Sequence, residues 1–157
     1  MKVQLLALAV GATLVIGAAS LHVKTIPCKG DHVEAASVNF IDISPCTENP
    51  CALKRGSTYE LTISLETGPE PAEIPKLTTH VDAIIHGIPI PWPGFNYTDA
   101  CKDCGLSCPL SPNKAYSYAI PLNVISPIAI ETVVKLRIED DTTNVNLLCN
   151  ELQVKVV

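Results

Sequence analysis

The side chains of this chain that could do chemistry are four histidines, seven cysteines, an adjacent pair of aspartates and one glycosylation sequon. A hydrolase would need a nucleophile held against a base, and neither a Gly-x-Ser-x-Gly elbow nor a His-Glu-x-x-His helix occurs. His80 and His86 fall on an expected strand, roughly 20 Å from one another at strand rise, too far to share a metal ion. They read as surface or rim histidines. Asp140 and Asp141 stand where the strand ending at Glu139 must turn, so turn chemistry accounts for them better than acid–base catalysis. Cys101-Lys-Asp-Cys104 has the spacing of half a zinc site, but no second pair of ligands stands at a suitable distance. Metal, cofactor and enzymatic chemistry are therefore not expected. Asn96-Tyr97-Thr98 is a sequon in an expected loop, which makes Asn96 a candidate for glycosylation.

The cysteines make more sense as cross-links. Residues 1–20 read as a signal peptide: Lys2 supplies the charged start, Leu5 to Ile16 the apolar run, and Gly17-Ala18-Ala19-Ser20 the small residues before cleavage. The run is shorter than the roughly 18 to 20 apolar residues needed to cross a bilayer. An exported chain folds where disulfides persist, so the compartment is expected to be extracellular or a secretory or lysosomal lumen. Seven cysteines leave at least one over, and spacing alone does not fix the connectivity. Cys46 and Cys51 bracket a short Pro-containing loop, and Cys101, Cys104 and Cys108 crowd another. Cys28 and Cys149 are then left to each other, in a closure worth about 5 kcal/mol on the chain-entropy model. Removing Lys2 with the leader takes the formal net charge from −5 to −6. A field of that sign draws in neither nucleic acid nor an anionic membrane.

Period-2 alternation dominates the elements that must hold these residues. Tyr59, Leu61, Ile63 and Leu65 alternate with polar residues, as do Ile130, Thr132, Val134, Leu136 and Ile138, and then Leu152, Val154 and Val156. Strands are also expected around Val81–Ile85 and Tyr116–Leu122. From Ala36 to Ile43 the apolar set changes parity between Phe40 and Ile41, which suits a bulge. Ile88-Pro-Ile-Pro-Trp-Pro-Gly94 must be an edge strand or a stiff rim, because proline cannot donate to a ladder. Ile88, Ile90 and Trp92 would share one face of it. Six or seven short strands broken by Ser-Pro, Thr-Gly-Pro and Pro-Gly turns predict an all-β sandwich in one domain, residues 21–157.

Several motifs stand in a specific order. Ser44-Pro45-Cys46, Cys51-Ala-Leu53-Lys-Arg55-Gly56 and His86-Gly87-Ile88-Pro89-Ile90-Pro91 come first. Ala100-Cys101, Cys108-Pro109, Tyr116-Ser117-Tyr118, Pro121, Asp140-Asp141 and Leu148-Cys149 follow. As a set they resemble the ML lipid-recognition domain, most of all the Niemann-Pick type C2 sterol carriers and their arthropod relatives. The resemblance spans essentially the whole mature chain. It implies an immunoglobulin-like two-sheet β-sandwich with an apolar cavity between the sheets and no catalysis. It also implies the pairings Cys28–Cys149, Cys46–Cys51 and Cys101–Cys108. Cys104 departs from the pattern and is either a free thiol or a competitor for a partner in its loop. The ligands implied are a sterol, a fatty acid or another small lipophile, and the implied partner is a membrane lipid-transfer protein; the carrier is expected to be monomeric.

The sterol carriers gate their cavity at positions that correspond to Trp92, Leu122 and Ser126. Ser126 stands where an aromatic is usual, which predicts a wider or more polar mouth. Candidate lining residues beyond these are Val38, Phe40, Leu61 and Ile63 from the earlier strands, Val81 and Ile90 from the middle, and Tyr118, Val134 and Leu136 from the later ones. The competing reading is an immunoglobulin-type module that recognises a lipid or a protein in innate immunity or chemical signalling, with a closed core and a sticky edge.

Overall fold

A computed structural model describes residues 20–30, 35–70, 73–96, 98–102 and 104–157. The expected leader, residues 1–20, lies outside them except for Ser20. Ten strands and no helix occur among the described residues. They are β1 (Leu21–His22), β2 (Thr25–Pro27), β3 (Ala36–Ser44), β4 (Cys51–Leu53), β5 (Thr58–Thr67), β6 (Leu77–Ile85), β7 (Ile88–Pro91), β8 (Ala115–Asn123), β9 (Ile130–Asp140) and β10 (Val145–Val156). The short strands β1, β2 and β4 carry too few residues for alternation to reveal, so the sequence reading found only the others. One sheet runs β1-β3-β5-β8 and the other β2-β10-β9-β6-β7, with β4 joining β10 in parallel. Two sheets packed face to face, with alternate side chains turned inward, make the sandwich that the period-2 patterns predict.

The inner faces are mostly aliphatic. Leu61, Ile63 and Leu65 on β5 face Val134, Leu136 and Ile138 on β9, and all six are buried. Register along β9 and β10 is regular from Leu148↔Ile138 to Val156↔Ile130, which keeps Leu148, Leu152, Val154 and Val156 on one face. On β3 the register shifts between Val38 and Phe40. This is the bulge that the parity change announces, one residue earlier than the sequence places it. Its consequence is a correction to the expected lining: Ile41 and Ile43 turn inward, while Phe40 lies on the outer face, its ring stacked on His22 at 4.6 Å. Two inward residues, Ile41 and Ile43, thus take the place expected of Phe40.

The turns follow their residues. His86 and Gly87 both take positive φ, 51° and 80°, the backbone of a two-residue hairpin turn whose twist suits β6 and β7. Asp140 organises the turn after β9: its Oδ1 accepts from Thr142 N at 2.9 Å and its Oδ2 from Thr143 Oγ1 at 2.7 Å. This is the structural role expected of the aspartate pair. His80 meets Glu139 at 3.8 Å on the outer face. Three disulfides join Cys28 to Cys149, 121 residues apart, Cys46 to Cys51 and Cys101 to Cys108. Cys104 lies outside the three disulfides, and it is buried.

Candidate functional site

At the end of the sandwich where β6, β8 and β10 finish, the two sheets are not closed over one another. The Pro-rich edge strand β7 and the loop 124–129 between β8 and β9 stand on either side of a pocket of about 220 Å³. Ala83, Ile85 and Ile90 line one side, Ile125, Ile128 and Ile130 the other, and Trp92 and Val156 the inner wall. Proline at positions 89, 91 and 93 keeps β7 extended and unable to extend the ladder outward. β7 therefore remains a rim instead of a further sheet.

The polar groups of this pocket are turned away from it. Ser126 Oγ donates to Ile128 O at 2.8 Å, and Thr132 Oγ1 to Ile84 O at 3.0 Å. The lining left is hydrocarbon. Trp92 is only 5% exposed and donates from Nε1 to Asn123 O at 2.8 Å, so one indole ties the edge of one sheet to the end of the other. Arg55 holds the facing loop, donating from Nη1 to Pro127 O at 3.2 Å and from Nε to Val157 O at 3.3 Å. Gly94 has φ +79°, and a Cβ there would meet Ile125 Cδ1 at 2.4 Å. Only glycine lets that isoleucine close against the rim. Outside, Ile88, Ile90, Ile125 and Ile128 are 62, 44, 58 and 59% exposed, a concentration of solvent-facing aliphatic side chains at one end of the molecule.

A model of the ML domain matches residues 22–156. The chain belongs to the ML domain family. This ML domain is 34% identical over 120 residues to the mouse NPC intracellular cholesterol transporter 2, covering 76% of each chain. It is 33% identical over 118 residues to the zebrafish protein of the same name, covering 74% of this chain and 75% of the other. Among solved structures it resembles a Niemann-Pick type C2 protein from the Japanese carpenter ant, with a TM-score of 0.72 at 18% identity, over 85% of this chain and 99% of that one. That likeness is one of fold, and it agrees with the immunoglobulin-like sandwich.

Within this ML domain the expected site residues divide into three groups. Trp92, Ile90 and Ser126 come together at the mouth. Leu61, Ile63, Tyr118 and Leu122 on one sheet and Val81, Val134 and Leu136 on the other turn inward and pack into a single core, with Val38 half-buried at its border. Phe40 alone faces outward. Leu122 is only 1% exposed, so it lies behind the mouth and not at its surface. Ser126, expected to make the mouth wider or more polar, closes its hydroxyl onto its own loop. Asn96 is exposed in the loop after Gly94.

The sequence reading missed Ile125, Ile128 and Val156 at the mouth, and Arg55 as the residue that holds it. A signal was present for the first two: Ile125-Ser-Pro-Ile128 is an apolar pair inside turn punctuation, where aliphatic residues have no core to fill. It also missed the polar pair inside the core. Tyr118 hydroxyl and Thr79 Oγ1 share a hydrogen bond between the sheets, and Tyr118 also meets Cys104. Burial drives the Tyr118 phenol far above its ordinary pKa, so its hydroxyl stays neutral.

Proposed function

We propose that this ML domain is a lipid carrier that takes a sterol or a similar small lipophile, such as a fatty acid, through the Trp92 mouth and transfers it. The observation that carries this reading is the hydrocarbon-lined pocket at the end of the sandwich, beside its aliphatic core and with exposed isoleucines around it. A lipid moving from water into such a lining gains about 25 cal/mol for each Å² of apolar surface buried. The relatives described as cholesterol transporters support the same ligand class.

The pocket holds about 220 Å³, below the roughly 300 to 1,000 Å³ usual for small-molecule sites. A whole lipid therefore requires the rim to part, and the part that must give is the contact between β7 and loop 124–129. The Trp92 to Asn123 hydrogen bond is the latch across that line. No step in this process breaks a covalent bond, so the protein works by binding and release, without cofactor or metal. The monomer, the removal of residues 1–20, action in extracellular fluid or a lysosomal lumen, and glycosylation at Asn96 complete the reading.

Native mass spectrometry of the protein from its source tests it. Recovery of stoichiometric lipid is expected. An empty protein that instead copurifies with a stable protein partner would favour the recognition module and overturn the carrier.

A further inference from the structure

Among the described residues, two buried side-chain polar atoms have no hydrogen-bond partner: Arg137 Nε, on the outer face of its sheet, and Asn150 Oδ1. Asn150 is the informative one. It is 5% exposed, and the unbroken register of β10 puts it on the inner face with Leu148, Leu152 and Val154. Its neighbours are Pro27 on β2 and Leu136 on β9, and the residue beyond Leu136 is Val81, so its row across the sheet is otherwise hydrocarbon. A carbonyl acceptor left unmet in such surroundings is destabilising, and folded proteins keep few of them. A leucine would fill nearly the same volume with no such penalty. The Thr79 and Tyr118 hydroxyls, by contrast, satisfy each other.

The place of Asn150 in the sheet sets what could meet it. Val156 and Thr132 line the mouth pocket, and Val154 is the β10 partner of Thr132. Asn150 follows on the same face, four residues beyond Val154 and six beyond Val156, which is about 13 and 20 Å at strand rise. A long lipid with its head at the mouth would bring its far end to this carbonyl. We infer that Asn150 is a polar subsite at the inner end of the ligand space, where its Oδ1 accepts a hydrogen bond from a hydroxyl on the tail of an elongated lipophile. The ligand class is then a lipid hydroxylated at the end remote from its head, such as a sterol with a hydroxyl at the tip of its side chain or an ω-hydroxy fatty acid. This rests on the carrier reading and narrows it.

The test titrates delipidated protein with two matched pairs: palmitate against ω-hydroxypalmitate, and cholesterol against the same sterol hydroxylated at its side-chain tip. Trp92 fluorescence or displacement of a fluorescent fatty acid reports binding. The wild-type protein is expected to bind the hydroxylated member of a pair about tenfold more tightly. Asn150→Leu is expected to bind the parent lipids as the wild type does, to lose the preference, and to melt no lower than the wild type. Parent lipids that bind without any preference for the hydroxylated partner would overturn this inference and leave the carrier intact; a resident water on Asn150 Oδ1 would give that outcome. A preference that survives in Asn150→Leu would overturn it equally. No binding of any of the four lipids would overturn the carrier reading as well.

Discussion

The two ends of the sandwich are held by different forces. At the far end, β5 finishes and β8 begins under a mesh of polar contacts. Thr67 Oγ1 donates to Ser111 O at 2.7 Å, Lys114 N donates back to it at 3.0 Å, Ile74 and Leu110 exchange two backbone hydrogen bonds, and the Cys101–Cys108 disulfide lies beside them. Inside that end sits the Thr79–Tyr118 hydroxyl pair. At the mouth, the contacts between β7 and the loop 124–129 are largely aliphatic, with one indole hydrogen bond between them. Hydrogen bonds and disulfides are directional and fix a distance, whereas aliphatic contact can be exchanged for contact with a lipid tail at little loss. On the proposed carrier function, the first end is the hinge and the contact between β7 and loop 124–129 is the opening.

Substitutions can test that contrast. The largest effect should come from Cys28→Ser with Cys149→Ser, which removes the 121-residue closure. A loss of about 3–5 kcal/mol is expected in denaturant unfolding, with the mouth residues contributing nothing comparable. Tyr118→Phe leaves Thr79 without its buried partner and should lower stability by about 1–2 kcal/mol while lipid exchange keeps its rate. Trp92→Phe removes the bond to Asn123 O. A smaller loss, about 1 kcal/mol, should accompany faster lipid exchange in a stopped-flow transfer assay. Equal exchange rates in Trp92→Phe and the wild type would remove the latch. Ile128→Asp alters a side chain that is 59% exposed, so its melting temperature should barely move while uptake of a fluorescent fatty acid weakens. Leu122, only 1% exposed, is not a fair probe of the mouth, because a charge there would unfold the core.

The weakest effect concerns acid. Asp141 accepts from Thr78 and pairs with Lys76 at 3.0 Å, and these contacts hold its carboxyl below the ordinary value. A lowered folded value adds stability above the ordinary aspartate range and loses it as pH falls through that lowered value. The wild type should therefore lose stability slightly more steeply than Asp141→Asn below about pH 4, and the two should run parallel at the mildly acidic pH of a lysosomal lumen.

The longer strands, the two-sheet class and the nature of the core are legible in the sequence because burial on one face of a strand imposes a period of two, and Tyr59 to Leu65 or Ile130 to Ile138 show it without interruption. The edge role of Ile88 to Pro91 was legible for a different reason: proline removes the donor that a central strand needs. The ordered motifs carried the family and its disulfide pairs. What local pattern could not carry was any fact that depends on two distant segments meeting. The bulge on β3 is set by pairing with β5, so Phe40 faced the wrong way until that register was known. The mouth exists because loop 124–129 lies opposite β7, and neither segment records the other. Asn150 looks in sequence like any polar residue in an alternating strand; its inward face and unmet carbonyl follow from the pairing of β10 with β9 beneath a second sheet.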